Sequence, residues 1–127
     1  MDRLGSDPPG PYEGVVGYSR VVRSGPHVWV AGCTSVDEHG MVHGDTPGEQ
    51  MEIALAAVLS ALERVGASAK DVVRTRMFTT DISRADEIGR AHGAVFGDVR
   101  PVTAMCEVSG FIDPRMLVEV EADAYVE

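Results

Sequence analysis

Met116-Leu117-Val118-Glu119-Val120-Glu121-Ala122-Asp123-Ala124-Tyr125-Val126 alternates with a period of two. Its even positions are all apolar, and its odd positions carry Glu119, Glu121 and Asp123 between Leu117 and Tyr125. Successive side chains of a strand point to opposite faces, so this stretch predicts a strand with one covered and one open face. The stretch before it, 102–108, alternates too: Val102, Ala104, Cys106 and Val108 against Thr103, Met105 and Glu107. The same reading puts its even set, Cys106 included, under a covering layer. It then gathers Glu107, Glu119, Glu121 and Asp123 on the opposite face. Neighbouring like charges repel across a sheet, and crowding of this kind raises carboxyl pKa values. Arg74 and Arg76, on one face of a strand over 71–80, are the available counter-charges.

The covering layer is legible upstream. Thr46-Pro47-Gly48-Glu49 combines an N-cap residue, proline at the first helical position and a glutamate three residues after the cap. Met51, Leu55, Val58, Leu62 and Val65 then recur at helical spacing, and Gly66 supplies a stop. A second helix is predicted after a Ser83–Asp86 cap, with Ala85, Ile88, His92 and Val95 on its apolar face. Strands are predicted over 15–23 and 27–33, separated by Ser24-Gly25-Pro26, and the 34–46 loop has room for one short strand. Residues 1–14, rich in Pro and Gly, predict an extended arm. The order ββ(β)αβαββ makes a single α+β domain over 1–127, a mixed sheet with two helices on one face.

Composition narrows the function. The 127 residues carry 11 Lys and Arg against 20 Asp and Glu, a net charge of −9. A nucleic-acid footprint needs a basic patch, and docking on anionic lipid needs clustered cations, so neither partner is expected. No run approaches the ~20 apolar residues that span a bilayer. The N-terminus has no apolar segment of a secretory leader, so a cytoplasmic location is expected. Cys33 and Cys106 stand alone, without a CxxC or a second ligand pair, so neither a disulfide framework nor a metal site is expected.

Several segments are familiar together: Gly17-Tyr18-Ser19, Val28-Trp29-Val30-Ala31-Gly32, the Gln50–Leu62 helix, Asp71 through Asp81, His92–Phe96, Pro101 and Val118-Glu119-Val120-Glu121-Ala122. In this order and spacing the chain resembles the Rid family, also called YjgF-like or imine deaminase proteins. That resemblance implies a chorismate-mutase-like fold and a homotrimer whose open sheet faces meet in a central barrel, with ligand clefts between subunits. It also implies cofactor-free hydrolysis of imines and enamines to carbonyl compounds and ammonia. By position, the resemblance makes Glu119 the carboxylate that handles water, Tyr18 a cleft residue and Ala31-Gly32 the cleft backbone. The arginine that pairs with the substrate carboxylate in this family falls on Thr103, its frequent cysteine on Met105, and a usual asparagine on Gly89. The chain thus resembles the Rid subfamilies without that arginine. Glu107 is a further lining carboxylate, and Arg115, four residues before Glu119, is the candidate substitute anchor.

Two functions from different classes follow. One is a hydrolase or deaminase-like enzyme acting on a small imine, enamine or carbonyl metabolite, with Glu119 and Tyr18 at the reacting atoms, and not a standard 2-imino-acid deaminase. The other is a non-catalytic trimer binding a small metabolite or a partner protein in the same clefts. For Glu119 itself the competing reading is a structural carboxylate paired with Arg74, Arg76 or backbone amides. For His92 it is a satisfied core residue.

Overall fold

A computed structural model describes all 127 residues. Six strands form one sheet in the order β1-β2-β3-β6-β4-β5. These are β1 (Asp2–Leu4), β2 (Val21–Ser24), β3 (His27–Cys33), β4 (Val72–Thr79), β5 (Val102–Glu107) and β6 (Val118–Tyr125). Every neighbouring pair is antiparallel except β4 and β5, which run parallel and therefore need a crossover. Three helices accompany the sheet: the short α1 (Glu13–Val16), α2 (Pro47–Arg64) and α3 (Ala85–Phe96). Helix α3 supplies the β4–β5 crossover, and α2 and α3 pack against each other on one face of the sheet. No helix is long and apolar enough to cross a membrane.

Helix α2 forms where its local signals place it. Thr46 Oγ1 accepts a hydrogen bond from Glu49 N at 3.1 Å, Pro47 opens the helix, and the Glu49 carboxylate accepts from Asp45 N at 2.8 Å. At the other end Gly66 adopts φ 79°, a left-handed conformation in which glycine carries no Cβ penalty. Its N–H bonds Glu63 O and that of Ala67 bonds Leu62 O, closing a Schellman motif. Met51, Leu55, Val58 and Leu62 are wholly buried beneath this helix.

Strand β6 is buried at Val118, Val120, Ala122 and Ala124 and partly exposed at Glu119, Glu121 and Asp123, as its alternation predicts. Strand β5 is the reverse of the expectation. Its register sets Thr103 beside Thr75 and Met105 beside Met77, and Thr75 and Met77 are buried on the helix side. Thr103, Met105 and Glu107 therefore point to the helix side, while Val102, Ala104 and Cys106 lie on the open face with Glu119. Cys106 is exposed, not core. Glu107 is not part of the carboxylate row, and its Oε1 accepts from Ile82 N at 3.0 Å. The physical reason is position: β5 is an edge strand that the helices scarcely reach, so burial does not select which of its faces is apolar.

Four further differences have local causes. Val15 and Val16 form the helical turn α1, which Gly17 ends at φ 83°, so the strand begins only at Val21. The arm is extended but paired, Asp2–Leu4 running antiparallel to β2. The 34–46 loop contains a single bridge, Val36 to Val42, in place of a strand. Asp81, not Ser83, accepts from Ser83 N at 3.0 Å over a short 3-10 turn, and the buried face of α3 is Ile88, Ala91, His92 and Phe96.

The open sheet face has no covering layer. Trp29, Tyr125 and Val102 are 45%, 44% and 58% exposed there. Arg76 Nη1 bonds Glu121 at 3.2 Å and Asp123 at 3.4 Å, the counter-charge role predicted for it.

Candidate functional site

The site begins with a mismatch of strand lengths. Val30 pairs with Ala122 and Cys33 with Val120, so three residue steps on β3 span two on β6, and Ala31-Gly32 bulges. A bulge leaves backbone groups without ladder partners, and such positions occur beside functional sites. Here Arg20 meets them. Its backbone oxygen accepts from Ala31 N at 2.9 Å, and its Nη1 donates to Gly32 O at 2.7 Å. The same Nη1 lies 3.4 Å from Ala31 O and 3.3 Å from Cys33 Sγ. The guanidinium is itself held by the arm: Nε donates to Ser6 Oγ at 3.2 Å and lies 3.7 Å from Glu13 Oε1, while Nη2 donates to Tyr18 OH at 3.2 Å. Both oxygens of the buried Glu13 accept from Ser6 N at 3.1 Å, which pins the arm across α1.

Glu119 projects from β6 onto this bulge. A Cβ on Gly32 would stand 2.7 Å from Glu119 Cδ and 2.8 Å from Oε1, distances that real Cβ contacts do not reach. Gly32 is thus the residue that lets a carboxyl lie against β3. The Glu119 carboxyl has no hydrogen-bond donor among the protein groups, and Arg76 is engaged with Glu121 and Asp123 instead. Burial pushes the Glu119 pKa up from the ordinary glutamate value, the charge of Glu121 pushes it further, and Arg20 opposes both. Neither Glu107 nor Asp123 contributes to this shift. Burial likewise raises the Cys33 thiol pKa against the pull of Arg20, so Cys33 faces the site as a neutral thiol.

Glu119, Tyr18, Arg20, Ala31, Gly32 and Cys33 line one cavity of about 470 Å³. Its remaining wall is mostly apolar, with Val16, Val36, Phe111, Ile112 and Met116. The room fits a small organic molecule. An unpaired, partly desolvated carboxyl with a raised pKa can accept and return a proton, and the arginine–tyrosine end can donate hydrogen bonds.

The other predicted site residues lie elsewhere in the subunit. Thr103 Oγ1 bonds Thr75 Oγ1 at 2.7 Å and Thr75 O at 3.1 Å. Met105 packs against the core from the sheet edge. A Cβ on Gly89 would meet nothing within 4 Å. Arg115 Nη2 bonds Asp113 at 2.6 Å and Gly40 O at 3.1 Å, and this pairing holds the Asp113 carboxyl down to about 2. His92 is a core residue: its Nε2 is 2.8 Å from Thr75 Oγ1, its ring packs on Phe96 at 4.8 Å, and burial lowers its pKa. The Thr75 hydroxyl donates to Thr103, so it accepts from the His92 Nε2–H. Arg20, Glu13 and Ser6 were not legible as site residues. The available signal was the spacing in Tyr18-Ser19-Arg20, which places an arginine two residues from a predicted cleft tyrosine.

Comparison with known proteins places this geometry. The family described as endoribonuclease L-PSP matches residues 11–126. A solved structure from Mycobacterium tuberculosis, a member of the YjgF/YER057c/UK114 family, superposes with a TM-score of 0.89 at 47% identity, covering 98% of each chain. An uncharacterised protein of Streptomyces coelicolor is 40% identical over 116 residues, 91% of this chain and 86% of its own. A RutC family protein of Pyrococcus abyssi is 32% identical over 112 residues, 87% of both chains. The fold is accordingly of the chorismate-mutase-like kind.

Gly32→Ala forces the Glu119 carboxyl off the bulge or shifts β3. Overpacking of this kind costs about 1–3 kcal/mol. Urea unfolding of Gly32→Ala should show that loss, and adding Glu119→Ala should restore most of it. An unchanged midpoint in the single variant would contradict the close approach.

Proposed function

The chain belongs to the endoribonuclease L-PSP family, also called YjgF or Rid, and from that membership and its own geometry we propose that it is a cofactor-free hydrolase of small imines or enamines. The observation that carries this reading is the Glu119 carboxyl: raised in pKa, without a protein donor, and in contact with a cavity of about 470 Å³. The competing structural role required a carboxylate paired with Arg74, Arg76 or backbone amides, and Glu119 has none of these partners.

The chemistry balances with one proton carrier. Water adds its oxygen to the imine carbon while Glu119 takes the departing proton. The C=N electron pair moves to nitrogen, which takes a proton back from Glu119, giving a carbinolamine. Glu119 then takes the hydroxyl proton and returns it to the amine nitrogen, the C–O double bond forms, and the C–N bond breaks with its electron pair leaving on nitrogen as ammonia. A carboxyl whose pKa lies above the usual range accepts and returns protons more evenly at neutral pH. Tyr18, which lines the same cavity, serves as a hydrogen-bond donor to substrate.

The assembly in this proposal is a homotrimer, formed through the open sheet face. The exposed Trp29, Tyr125 and Val102 there favour contact with other copies over contact with water. The edge of β5, with Thr103, Met105 and Glu107, then supplies the neighbouring subunit's part of each cleft. Light scattering should give about three times the 13.5 kDa chain mass. A monomer at micromolar concentration would remove the intersubunit cleft.

Thr103 stands where the family's carboxylate-pairing arginine does, and Arg115 is held by Asp113. A hydrogen bond to a charged group contributes ~1.5–3 kcal/mol, so its absence weakens transition-state binding of a 2-imino acid by roughly 10- to 150-fold. The net charge of −9 also disfavours RNA as substrate. With imine generated in situ by an amino-acid oxidase, turnover of 2-imino acids should be slow, and Glu119→Gln should lower turnover of any accepted imine by roughly 10²-fold. Undiminished turnover in that variant would move the chemistry elsewhere. Absence of turnover across neutral imines would favour the alternative, a trimeric small-metabolite binding module.

A further inference from the structure

We propose that Tyr18 and Arg20 form a two-donor cradle for an uncharged carbonyl-type oxygen of the substrate, so that the site selects neutral imines bearing a ketone, ester or amide oxygen over 2-imino acids. This deepens the hydrolase reading and rests on it for the word substrate, but the binding preference stands on its own geometry.

Arg20 has more N–H donors than this chain supplies acceptors. A guanidinium has five N–H donors. The Nε–H of Arg20 goes to Ser6 Oγ, and the two on Nη1 go to the Gly32 carbonyl and the group formed by Ala31 O and Cys33 Sγ. Nη2 makes one bond, to Tyr18 OH, and keeps a second N–H with no protein acceptor. Because the Tyr18 oxygen accepts from Arg20, its own hydroxyl proton is left to donate, and it too has no protein acceptor. Two donors without an acceptor in this chain thus adjoin one another, on residues that line both this cavity and a smaller one of about 230 Å³ under the arm. A donor left unpaired when a ligand excludes water is costly, so the favoured ligand carries an acceptor there. Arg20 also lies 5.4 Å from the Tyr18 ring centroid, which fixes the two groups relative to each other.

Charge points the same way. Arg20 is already faced by Glu13 at 3.7 Å. Glu119 enters the same cavity from β6 and senses Arg20 electrostatically. A bound carboxylate would be a third anion around one cation in a cavity with a largely apolar wall, where like charges are poorly screened. A neutral carbonyl oxygen takes both hydrogen bonds without that repulsion. The apolar wall of Val16, Val36, Phe111, Ile112 and Met116 accommodates the body of such a molecule.

The test uses probes of one shape: benzamide, benzoate and toluene, titrated into the full-length protein at pH 8 and followed by NMR at Gly32 and Tyr18. Benzamide should bind at least about tenfold more tightly than benzoate, a difference of about 1.4 kcal/mol. Tyr18→Phe removes one donor and keeps the ring, and should weaken benzamide by about 2- to 12-fold while leaving toluene unchanged. Benzoate binding as tightly as benzamide, no benzamide binding, or benzamide affinity indifferent to Tyr18→Phe would each overturn the cradle. Glu119→Gln separates the two claims. The cradle predicts that this variant still binds benzamide; retained imine turnover in it would move the proton carrier away from Glu119, and absence of turnover by the native chain would end the hydrolase reading, each leaving the cradle standing.

Discussion

The carboxyl of Glu119 lies against a strand backbone at a distance that only glycine permits, and the rest of the site is arranged around that contact. A side chain on Gly32 would meet Glu119 at 2.7 Å. The bulge at Ala31-Gly32 turns backbone carbonyls away from the ladder, Arg20 collects them, and Glu13 and Ser6 hold Arg20 in place. The N-terminal arm is therefore part of the site: without Ser6 and Glu13, the guanidinium that satisfies the bulge keeps only Tyr18 as a second anchor.

The same sheet face shows how one carboxylate of three is left free. Glu119, Glu121 and Asp123 alternate along β6, yet Arg76 binds only the latter two. Glu119 lies beyond that pairing, at the end of the strand nearest the bulge. Its remaining neighbours are the Glu121 charge, which disfavours ionisation, and Arg20, which favours it but is largely committed to backbone and to Glu13. Burial then decides the direction of the shift. A structural carboxylate would carry the opposite signature: paired, hydrogen-bonded and lowered, as Asp113 is by Arg115.

Some of this was legible in the sequence, for physical reasons. Strand β6 has a covered and an open face, so its period-two pattern read correctly. Helix α2 carries its own cap, proline and terminal glycine, all local signals. Strand β5 misled because an edge strand beyond the helices is not sorted by burial, and its small apolar residues lie on the open face. Val15-Val16 read as strand because nothing local reveals that Gly17 adopts a left-handed conformation. Glu119, Tyr18 and Gly32 were placed by resemblance and come together in one cavity, whereas Thr103 and Arg115 are bonded elsewhere in the subunit. Arg20 escaped notice because its role depends on a bulge that appears only when β3 pairs with β6, a strand nearly ninety residues later.

The central claim is that the fold holds an unpaired, partly desolvated Glu119 carboxyl ready to exchange protons beside the cavity. Its most direct test is the titration of the Glu119 side-chain carboxyl carbon by 13C NMR in the full-length protein, with Glu119→Gln to assign the resonance. The account predicts a midpoint clearly above the ordinary glutamate value, moving higher still in Arg20→Gln as the opposing charge is removed. A midpoint at or below the ordinary value in the native chain would contradict it.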